Sequence, residues 1–420
     1  MLWRIISCIA CILLLVCAGG ISACGNSAME PRHPRGRSDA ARQTVQPALP
    51  LAKGIPFQLN ANKIYTQVSV NNTGPYWFIL DSGSIFNVLD LERAKALRIA
   101  LHGNSTVRGM GAESVVSTSV SNVSLRLGGL ELKSQDLTVI PVDSLLAHSE
   151  GRQIDGLLGY EFIRHYCIEI DYQSRMLNIL PSACDYPAGG QIVPMQIEND
   201  ALYVTGFIHT GDLTIQGKFL IDTAVRSALV LNTPFVESND LLSHAGQTVP
   251  AWGTGIGGQT SARIGRVAAL RLGDLEIKEP IVDFSEMKKG VLASSNFSGI
   301  IGGEILRRFK LILDCPRSRL ILEPALDSQK PFEYDMSGLA LNAEGQFLNV
   351  FRVVQVTSHS PAEEAGMRPG DVIAKIDGQP ALSLEQISQT FKQGAGNLHE
   401  IIFKRGMQEI KCTIKLRRLI

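Results

Sequence analysis

Residues 77–83 read WFILDSG, and residues 218–224 read KFLIDTA. Each stretch is a short apolar run that ends in an aspartate followed by a hydroxyl residue. A carboxylate at the end of a buried strand is costly to desolvate unless a neighbouring group satisfies or uses it. Two such carboxylates in matching contexts indicate one site built by two copies of a unit, with Asp81 and Asp222 as an acid–base pair.

The sequence itself contains the duplication. Residues 125–133 read LRLGGLELK and residues 270–278 read LRLGDLEIK, while GLLGYEFIR at 156–164 returns as GIIGGEILR at 299–307. The spacing of about 140 residues is too long for a solenoid repeat and fits two homologous lobes, each the size of a small domain.

Composition limits the classes of function. The 420 residues contain 40 basic and 40 acidic side chains, so the formal net charge is zero. The chain therefore lacks the excess of basic residues that is typical of nucleic-acid-binding proteins, and we expect no nucleic-acid partner. No interior segment has the apolar length of a membrane span.

The N-terminus predicts export. Arg4 precedes an apolar run over residues 5–16, and small residues then lead to ISAC at 21–24. This pattern is typical of a signal peptide, and its end resembles a bacterial lipobox, which implies lipidation of Cys24. Cys17 fits that pattern less well, and an ordinary cleavable signal or an uncleaved anchor are the alternatives. Gly25 favours the periplasmic face of the outer membrane.

We predict that residues 25–53, rich in Pro, Arg, Ser and Gln, form a flexible tether. Four further cysteines follow in the chain: Cys167, Cys184, Cys315 and Cys412. Their spacing fits no zinc site, and we expect neither metal nor cofactor. A Cys167–Cys184 disulfide is possible, and four free thiols are equally acceptable.

From residue 54 onward, short strands and polar turns predict a mainly β fold with two lobes, at 54–190 and 191–328. Brief helices are expected after the cap Asp90 and between Asn232 and Leu242. Residues 335–420 contain three features in succession. They are a predicted strand over 347–356, the run SPAEEAGMRPGDVI at 360–373 and a predicted helix over 383–392. This block resembles a bacterial-type PDZ domain, a small α+β fold.

The Asp-Ser-Gly and Asp-Thr-Ala loops, each paired with an aliphatic-aliphatic-glycine strand, resemble those of single-chain, two-lobed retropepsin-like aspartic proteases. The resemblance covers residues 54–326 and implies that Asp81 and Asp222 share a proton and activate a water. It also implies that Ser82 and Thr223 cross-bond to the opposite loop. Gly83 would allow close approach, whereas Ala224 departs from the family's glycine.

Two glycine-containing hairpins are expected to cover the cleft as mobile flaps. The candidate flap residues are Gly109, Met110 and Gly111 in lobe one and Trp252, Gly253 and Gly255 in lobe two. The PDZ resemblance implies a groove that binds an extended peptide between a strand and the second helix. We place this groove at Gly345, Phe347, Leu348 and Val350, facing Ile387.

Two functions follow. The first is a membrane-tethered aspartic endopeptidase whose PDZ domain recruits or gates peptide or unfolded-protein substrates. The second, motivated by Ala224, is a catalytically silent peptide-binding lipoprotein.

Overall fold

The computed structural model describes residues 50–182 and 189–420. The predicted signal peptide, the lipidation site Cys24, most of the tether and Cys184 lie outside these ranges, so the predictions made for them stay predictions. No helix of the described part is long and apolar enough to cross a bilayer.

Lobe one contains ten strands and three helices. The strands are β1 (Ala52–Asn60), β2 (Lys63–Val70), β3 (Thr73–Leu80), β4 (Val88–Asp90), β5 (His102–Arg108), β6 (Ser114–Leu127), β7 (Leu130–Ile140), β8 (Gly156–Leu158), β9 (Cys167–Asp171) and β10 (Met176–Leu180). The helices are α1 (Leu91–Ala96), α2 (Val142–Glu150) and α3 (Tyr160–Ile163). Asp90 caps α1 as predicted, by accepting from two amides of its first turn.

Lobe two repeats this order with twelve strands and three α-helices. The strands are β11 (Gln191–Glu198), β12 (Ala201–Thr210), β13 (Leu213–Ile221), β14 (Leu229–Leu231), β15 (Val249–Gly255), β16 (Gly258–Arg266), β17 (Ala269–Leu272), β18 (Leu275–Lys278), β19 (Ile281–Ser285), β20 (Gly299–Ile301), β21 (Phe309–Asp314) and β22 (Arg319–Pro324). The helices are α4 (Thr233–Ser238), α5 (Leu241–His244) and α6 (Gly303–Leu306). The single helix expected over 232–242 is divided in two at Asp240, whose backbone is left-handed with φ 47°.

A six-stranded antiparallel sheet joins the lobes. Its order is β1-β10-β9-β21-β22-β11, and the two lobes meet where β9 pairs with β21. Leu311 lies opposite Ile170 at this junction, and both are buried. The lobes therefore share a continuous apolar core. That rigid base fixes the position of one lobe's aspartate relative to the other.

The C-terminal unit has its own core around Phe351, Phe391 and Phe403. Its elements are β23 (Leu339–Glu344), β24 (Val350–Val356), α7 (Pro361–Glu364), β25 (Val372–Ile376), β26 (Gln379–Pro380), α8 (Leu384–Phe391), β27 (Leu398–Arg405) and β28 (Gln408–Lys415). The sheet order is β23-β24-β25-β27-β28, with β26 beside β25. β23 is thus an edge strand, and it contacts α8.

The strand predicted over 347–356 is wrong at its start. Residues 345–348 form the turn between β23 and β24, and β24 begins at Val350. Gly345 and Leu348 have φ values of 83° and 52°, which no extended strand allows. Phe347 is 78% exposed at the tip of this turn.

Candidate active site

Each aspartate follows a strand that is held in place by a parallel neighbour. β3 pairs with β8, and β13 pairs with β20, in the same register. The amide of Asp81 donates to the carbonyl of Leu158 at 2.9 Å, and that of Asp222 donates to Ile301 at 3.0 Å. The aliphatic pairs noted in the sequence therefore position the two carboxyl groups.

The two loops are bonded directly to each other across the lobe boundary. The Ser82 hydroxyl donates to the carbonyl of Ile221 at 2.7 Å and accepts from the amide of Thr223 at 3.1 Å. The Thr223 hydroxyl donates to the carbonyl of Leu80 at 2.6 Å and accepts from the amide of Ser82 at 3.1 Å. All these groups are buried, so the four bonds are shielded from competing water.

The carboxyl groups receive backbone hydrogen bonds within their own loops. Asp81 Oδ1 accepts from the amides of Gly83 and Ser84 at 3.1 and 3.0 Å. Asp222 Oδ1 accepts from the amide of Ala224 at 2.8 Å. Ala224 is not among the residues with positive φ, so a side chain is accommodated without backbone strain.

Gly83 is required by close approach. A Cβ built at this position would lie 2.1 Å from Asp222 Oδ2. The carboxyl group of Asp222 therefore packs against the loop that carries Asp81. The two acidic side chains, distant in sequence, face one another.

Burial raises the pKa of both aspartates. The pKa of Asp81 rises to about 7, first because its carboxyl group is desolvated and second because Asp222 is negatively charged. Desolvation also raises the pKa of Asp222. Two adjacent carboxyl groups in such a site retain one proton near neutral pH, and their titration belongs to the pair.

Two hairpins line the cavity that contains the carboxyl groups. The connection between β5 and β6 contains Gly109, Met110 and Gly111, and the β15–β16 hairpin contains Trp252, Gly253 and Gly255. Their tips are bonded to each other, since Gly111 donates to Ile256 and Glu113 donates to Gly257, both at 2.9 Å. Five of these six residues, all but Gly111, line one cavity of about 1240 Å³ together with Asp81 and Asp222.

The comparison with known families agrees with this geometry. Residues 66–162 and 208–305 each match the family model described as aspartyl protease, and residues 352–405 match that of the PDZ domain. The two lobes belong to the retropepsin-like aspartyl protease family, and a PDZ domain follows them.

Curated relatives overlap with the chain only in short regions. One region of 94 residues is 32% identical to the probable CtpA-like serine protease of Staphylococcus haemolyticus, covering 21% of this chain and 19% of that protein. Another match, of 62 residues, is 34% identical to Serine protease HTRA1 of Xenopus tropicalis, covering 15% of this chain and 13% of that protein. The chain thus spans less than a fifth of these relatives.

The residues predicted to form the PDZ groove do not form one strand facing α8. Gly345, Phe347 and Leu348 lie in a turn, and Val350 belongs to β24, which is an inner strand. The edge strand beside α8 is β23, and its residues Leu339, Ala340 and Leu341 line the same cavity as Ile387. That cavity is also the one that contains the aspartates, so the PDZ domain borders the protease cleft.

Three charged cleft residues were missed in the sequence. Lys63, Glu150 and Arg226 line the cavity and form ion pairs, with Glu150 bound to both cations at 2.8 and 3.3 Å. Glu150 is the last residue of α2. This helix was not predicted because its apolar residues show only a weak helical periodicity. A comparison of the lobes could have found Lys63, because the matched position in lobe two is Ala201.

Among the described residues no cluster of three or more His, Cys, Asp or Glu side chains is arranged to hold a metal ion. Desolvation raises the pKa of the Cys315 thiol to about 12, so that this buried cysteine is unreactive. The possible disulfide between Cys167 and Cys184 involves a residue, Cys184, outside the described part of the chain.

Proposed function

We propose that this chain is an aspartic endopeptidase in which Asp81 and Asp222 share one proton. The ionised carboxylate takes a proton from a water lodged between them, and the protonated carboxyl donates a hydrogen bond to the substrate carbonyl. Water adds to give a tetrahedral gem-diol, which then collapses with cleavage of the amide. No covalent adduct with the enzyme forms.

One observation carries this proposal: the loops of the two aspartates are bonded to each other beneath two flaps. The Ser82–Thr223 bonds support a fixed geometry of the carboxyl groups, and the raised pKa values support a retained proton. A carboxyl group with only a structural role would instead be ionised, with all of its hydrogen bonds made.

The alternative, a silent peptide-binding protein, rests on Ala224. The Ala224 amide keeps its hydrogen bond to Asp222, and its methyl group packs with the apolar cluster around Tyr65 and Ile79. The substitution therefore costs the site no contact that catalysis needs, and we rank this alternative second.

A digestion of denatured protein and a peptide library over a range of pH tests the reaction type. We expect cleavage that a pepstatin-type inhibitor blocks and that a serine-reactive organophosphate leaves intact. The opposite inhibition pattern would assign the chemistry to a serine, as in the names of the curated relatives. Peptide binding without any cleavage would favour the alternative, and turnover gained by Ala224→Gly would identify a degenerate protease.

We also propose that the PDZ domain gates substrate entry. It contacts lobe one beside the cleft, where His148 Nδ1 lies 2.7 Å from the carbonyl of Ala343 and Glu385 accepts from the amide of Ala61 at 2.9 Å. Replacing His148 and Glu385 by alanine removes both contacts. We expect the double variant to change the ratio of protein to short-peptide cleavage, whereas an unchanged ratio would contradict gating.

The proposal includes export and anchoring to the periplasmic face of the outer membrane through Cys24, and support for it comes from the sequence alone. Cells grown with a radioactive fatty acid should label the wild type and the Cys17→Ser variant. Cys24→Ser should lose the label. Retention of the label in Cys24→Ser would refute the assignment.

A further inference from the structure

A buried cation lies in the cleft. Lys63 is the first residue of β2, is only 9% exposed, and lines the cavity with Asp81 and Asp222. An ammonium group removed from water must be paired, because its desolvation costs several kcal/mol or more.

Its partner is Glu150 at the end of α2. Lys63 Nζ lies 2.8 Å from Glu150 Oε1, and Arg226 Nη2 lies 3.3 Å from the same oxygen. Burial alone would raise the pKa of Glu150, but the two cations outweigh it and leave the pKa below its ordinary value. The carboxylate is therefore ionised, and the three side chains carry a net positive charge.

The turn that presents Lys63 is held by both lobes. Asn60 Nδ2 donates to the carbonyl of Glu150 at 3.1 Å, and Asn62 Nδ2 donates to the carbonyl of Arg226 at 2.7 Å. Arg226 lies four residues after Asp222. This turn fixes the ammonium group beside the aspartate loops.

Lobe two has no cation at the position that corresponds to Lys63. Tyr65 pairs with Ile79, two residues before Asp81, and Tyr203 pairs with Leu220, two residues before Asp222. Lys63 and Ala201 therefore occupy the same place in the two lobes, and both line the cavity. Because alanine suffices for the fold in lobe two, the lysine points to a role in the site.

We propose that Lys63 is a positioning residue whose charge, held in place by Glu150, keeps one carboxylate of the dyad ionised as the pH falls. The inference rests on the proposed aspartic chemistry. A nearby cation favours the ionised form of a carboxyl group. In agreement, the charge of Lys63 opposes the rise in pKa at both Asp81 and Asp222.

Other charged groups surround this pair. Glu150 from α2, Arg226 from the loop after β13 and Glu385 from α8 lie around the Lys63 turn. In lobe two, Asp283 interacts with the charge of Arg226, and it also interacts with the charges of Glu304 and of Lys392 from the PDZ domain. All of these except Glu150 stay in place in every variant below. Their effects are therefore common to the profiles compared.

The test is the pH dependence of kcat/KM for the full chain on one peptide. The acid limb of this profile is the fall in kcat/KM at low pH. In Lys63→Met we expect it to move to higher pH by about one unit, because the dyad loses a cation. In Glu150→Gln it should move to lower pH, because Lys63 is no longer partly neutralised. Lys63→Arg, which keeps the charge, should hold the wild-type limb within about 0.3 units.

Shifts of opposite sign cannot come from a role in packing alone. An active Lys63→Met with an unmoved limb, or two variants shifted in the same direction, would overturn the inference and leave the aspartic mechanism intact. Cleavage that persists in the Asp81→Asn variant would instead refute the proposed function. If Lys63→Met fails to fold, Lys63→Met with Glu150→Gln avoids leaving Glu150 with Arg226 as its one ion-pair partner, and its acid limb should lie at higher pH than that of Glu150→Gln, because only the lysine charge differs between these two variants.

Discussion

The amide of Ser82 donates to the Thr223 hydroxyl and the amide of Thr223 donates to the Ser82 hydroxyl, both at 3.1 Å. This reciprocal pair couples the two lobes at the residues next to the aspartates. The alignment of the carboxyl groups and the stability of the lobe interface therefore depend on the same bonds.

Thr223→Ala removes one acceptor and one donor from this buried set. We expect a loss of about 2 kcal/mol in the free energy of unfolding, since unsatisfied buried groups remain. We also expect kcat to fall at least about 10-fold as the dyad loses alignment. Urea unfolding and peptide cleavage measure the two effects, and Thr223→Ser, which keeps the hydroxyl, is the matched control. Equal losses in both variants would contradict the role of the hydroxyl.

Gly83→Ala brings a methyl group into the space of the Asp222 carboxyl. Since that Cβ would lie 2.1 Å from Oδ2, we expect kcat/KM to fall about 100-fold or more. Gly189→Ala is the control, because its Cβ would meet nothing nearer than 3.7 Å. Near-normal activity in Gly83→Ala would show that the Asp222 carboxyl group does not pack against the loop that carries Asp81.

The raised pKa of Asp81 makes both activity and stability depend on pH. Activity should decline as the pH rises through about 7, because the shared proton is lost. A carboxyl group with a raised pKa in the folded state stabilises the fold below its ordinary pKa of 3.8, and this contribution disappears as the pH rises to about 7. Relative to wild type, Asp81→Asn should therefore gain on the order of 4 kcal/mol between these limits. Urea unfolding at several pH values measures this difference, and a constant difference would contradict the buried pair.

The flap tips are bonded to each other through Gly111 and Glu113. In Gly111→Ala the added Cβ would lie 2.1 Å from the carbonyl carbon of Gly257, so the tips must separate. We expect amide hydrogen exchange in residues 109–113 and 255–258 to accelerate about 10-fold. Exchange in β9 and β21, at the lobe junction, is the internal control and should not change. Unchanged exchange at the tips would show that these bonds do not restrain the flaps.

The sequence predicted the two lobes because the duplication repeats the full strand-and-loop context of Asp81 and Asp222. The cap at Asp90 was also predictable, because capping is a local property. The start of the strand predicted from residue 347 was wrong because the apolar residues Phe347 and Leu348 suggested a strand, whereas the backbone angles at Gly345 and Leu348 make a turn. Lys63 and Glu150 were missed because their pairing joins a strand to a helix distant in sequence, and neither carries a local motif.

Cleavage of an unfolded protein by Asp81→Asn, Asp222→Asn and Asp212→Asn is the most direct test of the account. Asp212 is exposed in a turn of lobe two and controls for the loss of a carboxylate as such. We predict that both dyad variants lose at least about 1000-fold in kcat/KM while circular dichroism shows a native fold, and that Asp212→Asn matches wild type. Wild-type cleavage by either dyad variant would contradict the assignment of catalysis to this pair of carboxyl groups.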